Sequence, residues 1–429
     1  MGEPERASRP RRVVAWIGVV LAALAGVPVA FAGLLATAAA TNSRGAAMVG
    51  AALATLVCTG GLVWLAGRWI TTRRRTRGWL TGAATTVPLV GVTVLFGALF
   101  CASAPPATPF PPTDDVRYWE LSTGSRIAYT HVPARGTPRP TPVILVHGGP
   151  GAPGGPQDAL AAVLTAAGFP VYDYHQVGAG LSGRLADAGE YTVARHVADL
   201  EAIRREIGAD RIVLVGGSWG GTLIAHYLAA HPDRVDRAVV ASPGPMWGPA
   251  FAGADRLTEA GWHDQQAVLS RHPRFLLAHA LMALVGPRTA RTLLPDRQLD
   301  GVFEALVSDL DMRPGCATAT ARTARAPRGF GFWANAATSF DAERVPDPRP
   351  KLRQATAPVL VLRGECDYIA WPVTREYRDV LPNATLVAVA HAGHTITTDQ
   401  PQRYGELVRA FLLDQPLAQP AYLGAEPPW

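Results

Sequence analysis

Three runs without one charged side chain constrain this chain more than any other feature. Val13 to Thr41 covers 29 residues, Gly45 to Gly67 covers 23, and Trp79 to Ala102 covers 24. Each exceeds the roughly 20 residues a helix needs to cross a bilayer. The first is too long for the apolar region of a cleaved secretion signal, and two more follow it. Bulky Phe100 before Cys101 argues against a lipid-modified cysteine there. The expectation is three membrane helices at about 13–40, 45–67 and 79–102.

Sidedness follows from the arginines. Arg6, Arg9, Arg11 and Arg12 precede the first run, and Arg68, Arg73, Arg74, Arg75 and Arg77 lie between the second and third. The loop between the first two holds only Arg44, and Asp114 and Asp115 follow the third. Positive loops stay cytoplasmic, and Trp16, Trp64, Trp69 and Trp79 cluster at that same boundary. A cytoplasmic N-terminus puts everything after Ala102 outside the cytoplasm. Residues 1–101 hold ten arginines against Glu3 and Glu5, so the formal charge of +6 belongs to the membrane region. The remaining 30 basic and 32 acidic residues give no patch for a nucleic acid, and none is expected as partner. The lipid bilayer is the expected macroscopic partner. Residues 103–113, "SAPPATPFPPT", read as a semi-rigid proline-rich spacer.

From Asp114 the pattern alternates between strands and helices. "RYWELS" and "RIAYTHV" suggest a hairpin around Thr123-Gly124, and "TPVILVHGG", "FPVYDYH", "RIVLV" and "RAVVASP" carry short strands separated by helical stretches. Such alternation implies βαβ units and a doubly wound sheet. It stops over about 244–350, where helical stretches such as Arg274–Val285 and Leu299–Leu310 stand among arginine- and proline-rich breaks, and resumes at "APVLVLRGECD". A helical insertion between strands reads as a cap over a site at the strand ends. Cys58 and Cys101 belong to the apolar region, and spacing alone leaves a Cys316–Cys366 disulfide undecided.

"VGGSWGGT" (Val215 to Thr222) follows the strand "RIVLV" and opens a helix. Gly-x-Ser-x-Gly in that setting is a nucleophile elbow, which exposes a serine hydroxyl at the top of the sheet. Serine needs a base to take its proton, and the base needs a third group to hold its tautomer. Downstream of Ser218, Asp367 and His394 each lie just past a strand, in the order Ser, Asp, His. His391 competes with His394, but "AGH" puts His394 at the loop position. Strand "PVILV" runs into "HGGPG" (His147 to Gly151), where glycines let backbone N–H groups face a developing oxyanion. The expected donors are the N–H groups of Gly149 and Trp219. This chemistry needs no metal and no organic cofactor.

Together, "HGGPG", "GGSWGG" and "AGH" resemble the proline iminopeptidase family, and "YHQVGAGLS" (Tyr174 to Ser182) resembles its Tyr-Asp-Gln-x-Gly-x-Gly-x-Ser loop. The resemblance covers most of Asp114 to Leu413. It implies an α/β-hydrolase fold for 114–429 with a helical cap insertion at about 244–350; the three transmembrane helices read from the apolar runs precede it. It implies also a serine exopeptidase that removes an N-terminal residue, with acidic cap residues holding the free amine. Two departures stand out. His175 replaces the usual aspartate, and Ala334 and Asn335 stand where a family glutamate would align. Glu259, Asp264, Asp309 and Asp311 are the remaining acidic candidates in the cap. The reading is a membrane-tethered serine hydrolase acting on short peptides or aminoacyl amides. The alternatives are an esterase or amidase on small esters or acylated metabolites, suggested by Trp247, Trp262, Phe330, Phe332 and Trp333, and a non-catalytic receptor on the same fold.

Overall fold

The computed structural model describes residues 9–101, 103–154, 157–251, 253–311 and 328–429. It divides into two compact units, Met1–Ala104 with Leu277–Pro295, and Pro105–Leu276 with Asp296–Trp429. In the first unit the apolar runs are helical beyond their uncharged cores. Helix α1 is Arg9–Thr41 and α2 is Arg44–Ala54, which continues through a π-helical turn into α3 (Gly60–Ile70); α4 is Arg74–Phe96. The continuous stretches Pro10–Thr41, Arg44–Ile70 and Arg74–Cys101 are long and apolar enough to cross a membrane, with mean hydropathies of 2.4, 1.9 and 2.0. Two residues reverse the chain between α1 and α2. Asn42 takes a left-handed conformation (φ 47°), and the Ser43 hydroxyl caps α2 by accepting the Ala46 N–H at 3.3 Å.

In the second unit the elements run β1 (Arg117–Glu120), β2 (Arg126–Val132), β3 (Val143–Val146), α5 (Asp158–Ala166), β4 (Val171–Tyr174), α6 (Val193–Ile207), β5 (Ile212–Ser218), α7 (Trp219–Ala230) and β6 (Val235–Pro243). The cap segment follows in the chain as α8 (Glu259–Arg271), α9 (Pro273–Leu293, which belongs to the first unit from Leu277 on), α10 (Asp296–Asp309), α11 (Phe332–Ala342) and α12 (Arg349–Leu352). The series then closes with β7 (Val359–Gly364), α13 (Trp371–Val380), β8 (Ala384–Val389), α14 (Ile396–Asp399) and α15 (Pro401–Leu412). The eight strands form one sheet in the order β1-β2-β4-β3-β5-β6-β7-β8, antiparallel at β1–β2 and β2–β4 and parallel from β4 onward. Parallel strands bury both faces and so read as continuous apolar runs. Leu160 and Leu164 of α5 and Leu407 and Val408 of α15 cover one face.

Helices α8 and α11 were not singled out in the sequence. Helix α8 is rich in polar residues, and α11 is a short alanine- and aromatic-rich segment after glycines, so neither carries a strong apolar period. Helix α9 breaks at Gly286 (φ 79°) before Pro287. The proline-rich stretch, expected to act as a spacer, is instead docked on its own unit. The Thr108 N–H donates to Glu304 at 2.8 Å, the Gly329 N–H donates to the Thr108 carbonyl at 3.0 Å, and Phe110 meets the His175 ring edge-on at 4.5 Å. Cys316, one half of the undecided disulfide, lies outside the described residues.

Candidate active site

Ser218 is the last residue of β5 and precedes the first turn of α7. Its backbone sits at φ 54°, ψ −128°, a region that costs a non-glycine residue about 1–3 kcal/mol and survives only where its surroundings enforce it. The flanking glycines do the enforcing. A Cβ on Gly216 would stand 2.7 Å from the Val146 carbonyl, and one on Gly220 would collide with the same atom. Helix and strand can therefore close tightly enough to push the serine outward. The HGG loop lies against it, since a Cβ on Gly148 would stand 3.1 Å from the Ser218 Cβ.

Asp367 and His394 follow β7 and β8, neighbours on the far side of β6 from Ser218's strand. The His394 Nδ1 and Asp367 Oδ1 are 2.8 Å apart, and both residues are buried. Asp367 Oδ1 also accepts the Ile369 N–H at 3.0 Å, and Oδ2 accepts from Arg363 Nη1 at 3.0 Å. Burial by itself would push this carboxyl up, but His394, Arg363 and the Ile369 N–H outweigh it and hold the group below its ordinary range. A carboxylate kept charged there fixes the imidazole with Nδ1 protonated and Nε2 open. Asp367 thus pairs with Arg363 and His394 at once. The rival His391 is exposed in a surface turn (φ 56°), its N–H bonded to Glu365 at 2.7 Å.

Tyr368, which the sequence did not single out, joins these parts. Its ring lies 4.3 Å from the His394 ring, and its phenol is a hydrogen-bond partner of Ser218. Burial, reinforced by the Asp367 charge, raises the phenol pKa and keeps the hydroxyl protonated. A tyrosine directly after the presumptive acid was the only available signal.

Gly149 lies in the loop after β3, and Trp219 is the first residue of α7. A first-turn N–H has no partner within its own helix. The loop is braced from the cap by Asn335, whose amide donates to the carbonyls of Pro150 (2.8 Å) and Gly149 (3.2 Å), and by the Gly331 N–H on the Gly151 carbonyl at 2.7 Å. Asn335, one of the two residues standing where a family glutamate would align, therefore braces the HGG loop. His175 is equally committed: its Nδ1 accepts the Leu181 N–H at 3.0 Å, and burial lowers its pKa to about 3.

The cap carboxylates have partners of their own. Buried Asp300 accepts from Arg184 at 3.0 Å and from the Phe332 N–H at 2.9 Å. Glu343 pairs with Arg256 and Asp347 with Arg349. Of the four acids named in the sequence, Asp264 accepts the Asp311 N–H at 2.9 Å, Asp309 pairs with His272 at 3.2 Å, and Glu259 and Asp311 are exposed. The segment 312–327 contains no acidic residue. Among the described residues no group of three or more His, Cys, Asp or Glu side chains is placed to hold a metal ion.

A mostly parallel sheet, an elbow at the end of its fifth strand and a capping insertion after the sixth define a hydrolase class, and residues 141–401 match the family model described as alpha/beta hydrolase fold. The chain belongs to that family. Among curated proteins it is 28% identical over 280 residues to a proline iminopeptidase of Levilactobacillus brevis, covering 62% of this chain and 85% of the relative. It is 25% identical over 313 residues to the proline iminopeptidase of Lactobacillus delbrueckii subsp. lactis, covering 69% and 97%. Among solved structures, a proline iminopeptidase of Mycobacterium smegmatis aligns at 21% identity with a TM-score of 0.46, over 70% of this chain and 98% of that one. An esterase of Thermogutta terrifontis aligns at 19% identity with a TM-score of 0.49, over 70% and 98%.

Proposed function

We propose that this chain is a membrane-tethered serine hydrolase, with 1–102 as its membrane region and 114–429 as a hydrolase domain capped by about 244–350. The observations that carry the reading are the buried His394–Asp367 pair at 2.8 Å and a serine held in an elbow conformation. The His394 Nε2 takes the Ser218 proton as Oγ attacks a substrate carbonyl, and Asp367 stabilises the imidazolium. The N–H groups of Gly149 and Trp219 receive the negative charge that develops on the carbonyl oxygen. His394 then protonates the leaving group, and water releases the acyl group by the same steps in reverse. Arginine placement puts the N-terminus in the cytoplasm and the hydrolase domain outside it. Protease added to intact cells should then degrade the domain, and a protected domain would reverse the topology.

The relatives make release of an N-terminal residue from short peptides or aminoacyl amides the leading activity. A second reading, hydrolysis of small esters or acylated metabolites, is favoured by the cap carboxylates Asp300, Glu343 and Asp347 being bonded to arginines, since a desolvated ammonium needs a paired carboxylate. The separating experiment gives full-length protein in detergent prolyl- and alanyl-nitroanilides, their N-acetylated forms and short p-nitrophenyl esters, with Ser218→Ala as the blank. Cleavage of the free-amine anilides that disappears on acetylation selects the exopeptidase. Ester turnover alone selects the second reading.

A further inference from the structure

Gln176 follows β4 and is 1% exposed. Its backbone N–H donates to the His147 Nε2 at 2.8 Å, its side-chain amide donates to the His147 carbonyl at 2.7 Å, and its Oε1 accepts the Trp219 indole N–H at 2.9 Å. A ring nitrogen that accepts a hydrogen bond carries no proton, so neutral His147 is protonated on Nδ1. That nitrogen lies 2.7 Å from the Gly148 carbonyl and donates to it. The Gly148 carbonyl and the Gly149 N–H belong to one planar trans peptide and point in opposite directions. Pinning the carbonyl against the imidazole therefore turns the Gly149 N–H away from it. On the other side, the Trp219 indole is tethered at the residue that directly follows the strained Ser218.

We propose that Gln176, acting through His147 and the Trp219 indole, is the positioning residue that aims both oxyanion donors, the N–H groups of Gly149 and Trp219. The inference rests on the reading of those two groups as the oxyanion hole. Gln176 touches no reacting atom; it joins the two segments whose relative placement sets the hole. Burial, which lowers the His147 pKa to about 4, keeps that ring in the neutral form the arrangement requires.

The test uses full-length protein in detergent with Gln176→Met, which keeps the side-chain length and removes both amide bonds, and Trp219→Phe, which removes the indole N–H together with part of the ring. Three readouts are taken: labelling of Ser218 by a fluorophosphonate, kcat and KM for p-nitrophenyl acetate, and inhibition by a trifluoromethyl ketone. The ketone is attacked by Ser218 Oγ, its carbonyl π pair becomes an oxyanion, and the serine proton passes to His394. Deleting an oxyanion donor outright costs on the order of 100-fold to 1000-fold in kcat. Misaiming by Gln176→Met is expected to cost roughly 10-fold to 100-fold in kcat, leave KM within about twofold, and weaken the ketone by the same factor as kcat. Trp219→Phe should follow the same line with a fall of roughly fivefold, one neutral hydrogen bond's worth, and it decides the matter if Gln176→Met does not fold. Unchanged kcat, or a fall in kcat with ketone inhibition unaltered, overturns the positioning role. If wild-type protein is not labelled at Ser218, the hydrolase reading falls and this inference with it. Labelling with both variants matching wild type removes this inference alone.

Discussion

The same side chains meet opposite fates in the two units. In β3, Val143, Ile144, Leu145 and Val146 are each 0% exposed, whereas on α1 Val13, Ile17, Leu21 and Leu24 keep between 53% and 68% of their surface open. Residue type does not separate them; run length and punctuation do. The β3 run is stopped after four residues by His147 and Gly148, so the chain must turn and pack. The α1 run continues for 29 uncharged residues, too long to fold back on itself as sheet or core. On the proposed reading its outer face is solvated by lipid, while its arginines stay at the ends. Chemistry is thereby confined to the unit that folds against water.

The sharpest way to break that division is through the nucleophile. Ser218→Ala should lower kcat about 10⁶-fold while the domain stays folded, since removing one member of such a triad costs nearly as much as removing all of it. Residual activity within tenfold of wild type would place the chemistry elsewhere. Asp367→Asn comes next, at about 10⁴-fold in kcat, because an amide cannot hold His394 in the required tautomer. Arg363 would then lie buried against an amide, so a fall in melting temperature is expected in the same protein. Activity lost with no change in KM is the outcome to check.

Much of the fold, and the strand-end placement of the three candidate residues Ser218, Asp367 and His394, was legible in the sequence because both are written in local chemistry. The elbow needs Gly216 and Gly220 where side chains would strike the Val146 carbonyl, and a strand-end Asp and His need only correct chain order. The groups that brace the site were not legible in the same way. Gln176, Tyr368 and Asn335 are ordinary polar residues whose roles come from contacts between distant segments, with Gln176 meeting His147 and Trp219, and Asn335 meeting Pro150. Docking of the proline-rich stretch was hidden for the same reason, since its partners Glu304, Gly329 and His175 all lie far along the chain.

Acid should separate the units by a smaller but broad effect. Burial lowers the pKa of His147 and His226 to about 4 and of His175 and His196 to about 3. The unfolded chain protonates histidine near 6.5, so between about pH 6.5 and pH 3 the unfolded state binds more protons and stability falls as pH falls. Asp173 has the opposite sign. Burial, with Asp158 nearby, raises its pKa to about 7, so its contribution is present in acid and fades as pH rises through 7. Burial also lowers His131 and His231 and raises Asp199 and Glu376, and six histidines against three carboxyls predict a melting temperature of the hydrolase domain that drops from pH 7 to pH 4. The helical signal of the apolar region, which holds none of these groups, should not change. A flat profile for the domain would show that the histidines are hydrated and that its polar interior is looser than its apolar one.

The comparison finally rests on a pair of leucines. Leu145→Ala deletes buried methyl groups from the centre of the sheet and should cost about 2–5 kcal/mol, read from denaturant unfolding of the domain. Leu24→Ala removes the same atoms from a face that is 68% exposed, and in lipid nanodiscs it should change stability by no more than about 0.5 kcal/mol. The smallest effect is the more informative one. Lipid tails are as apolar as leucine, so a truncated side chain on a lipid-facing surface leaves its environment nearly unchanged. A cost at Leu24 comparable to that at Leu145 would mean that a protein surface, from a second copy of this chain or another span-bearing partner, covers that face of α1 and packs against it as tightly as α5 packs against the sheet.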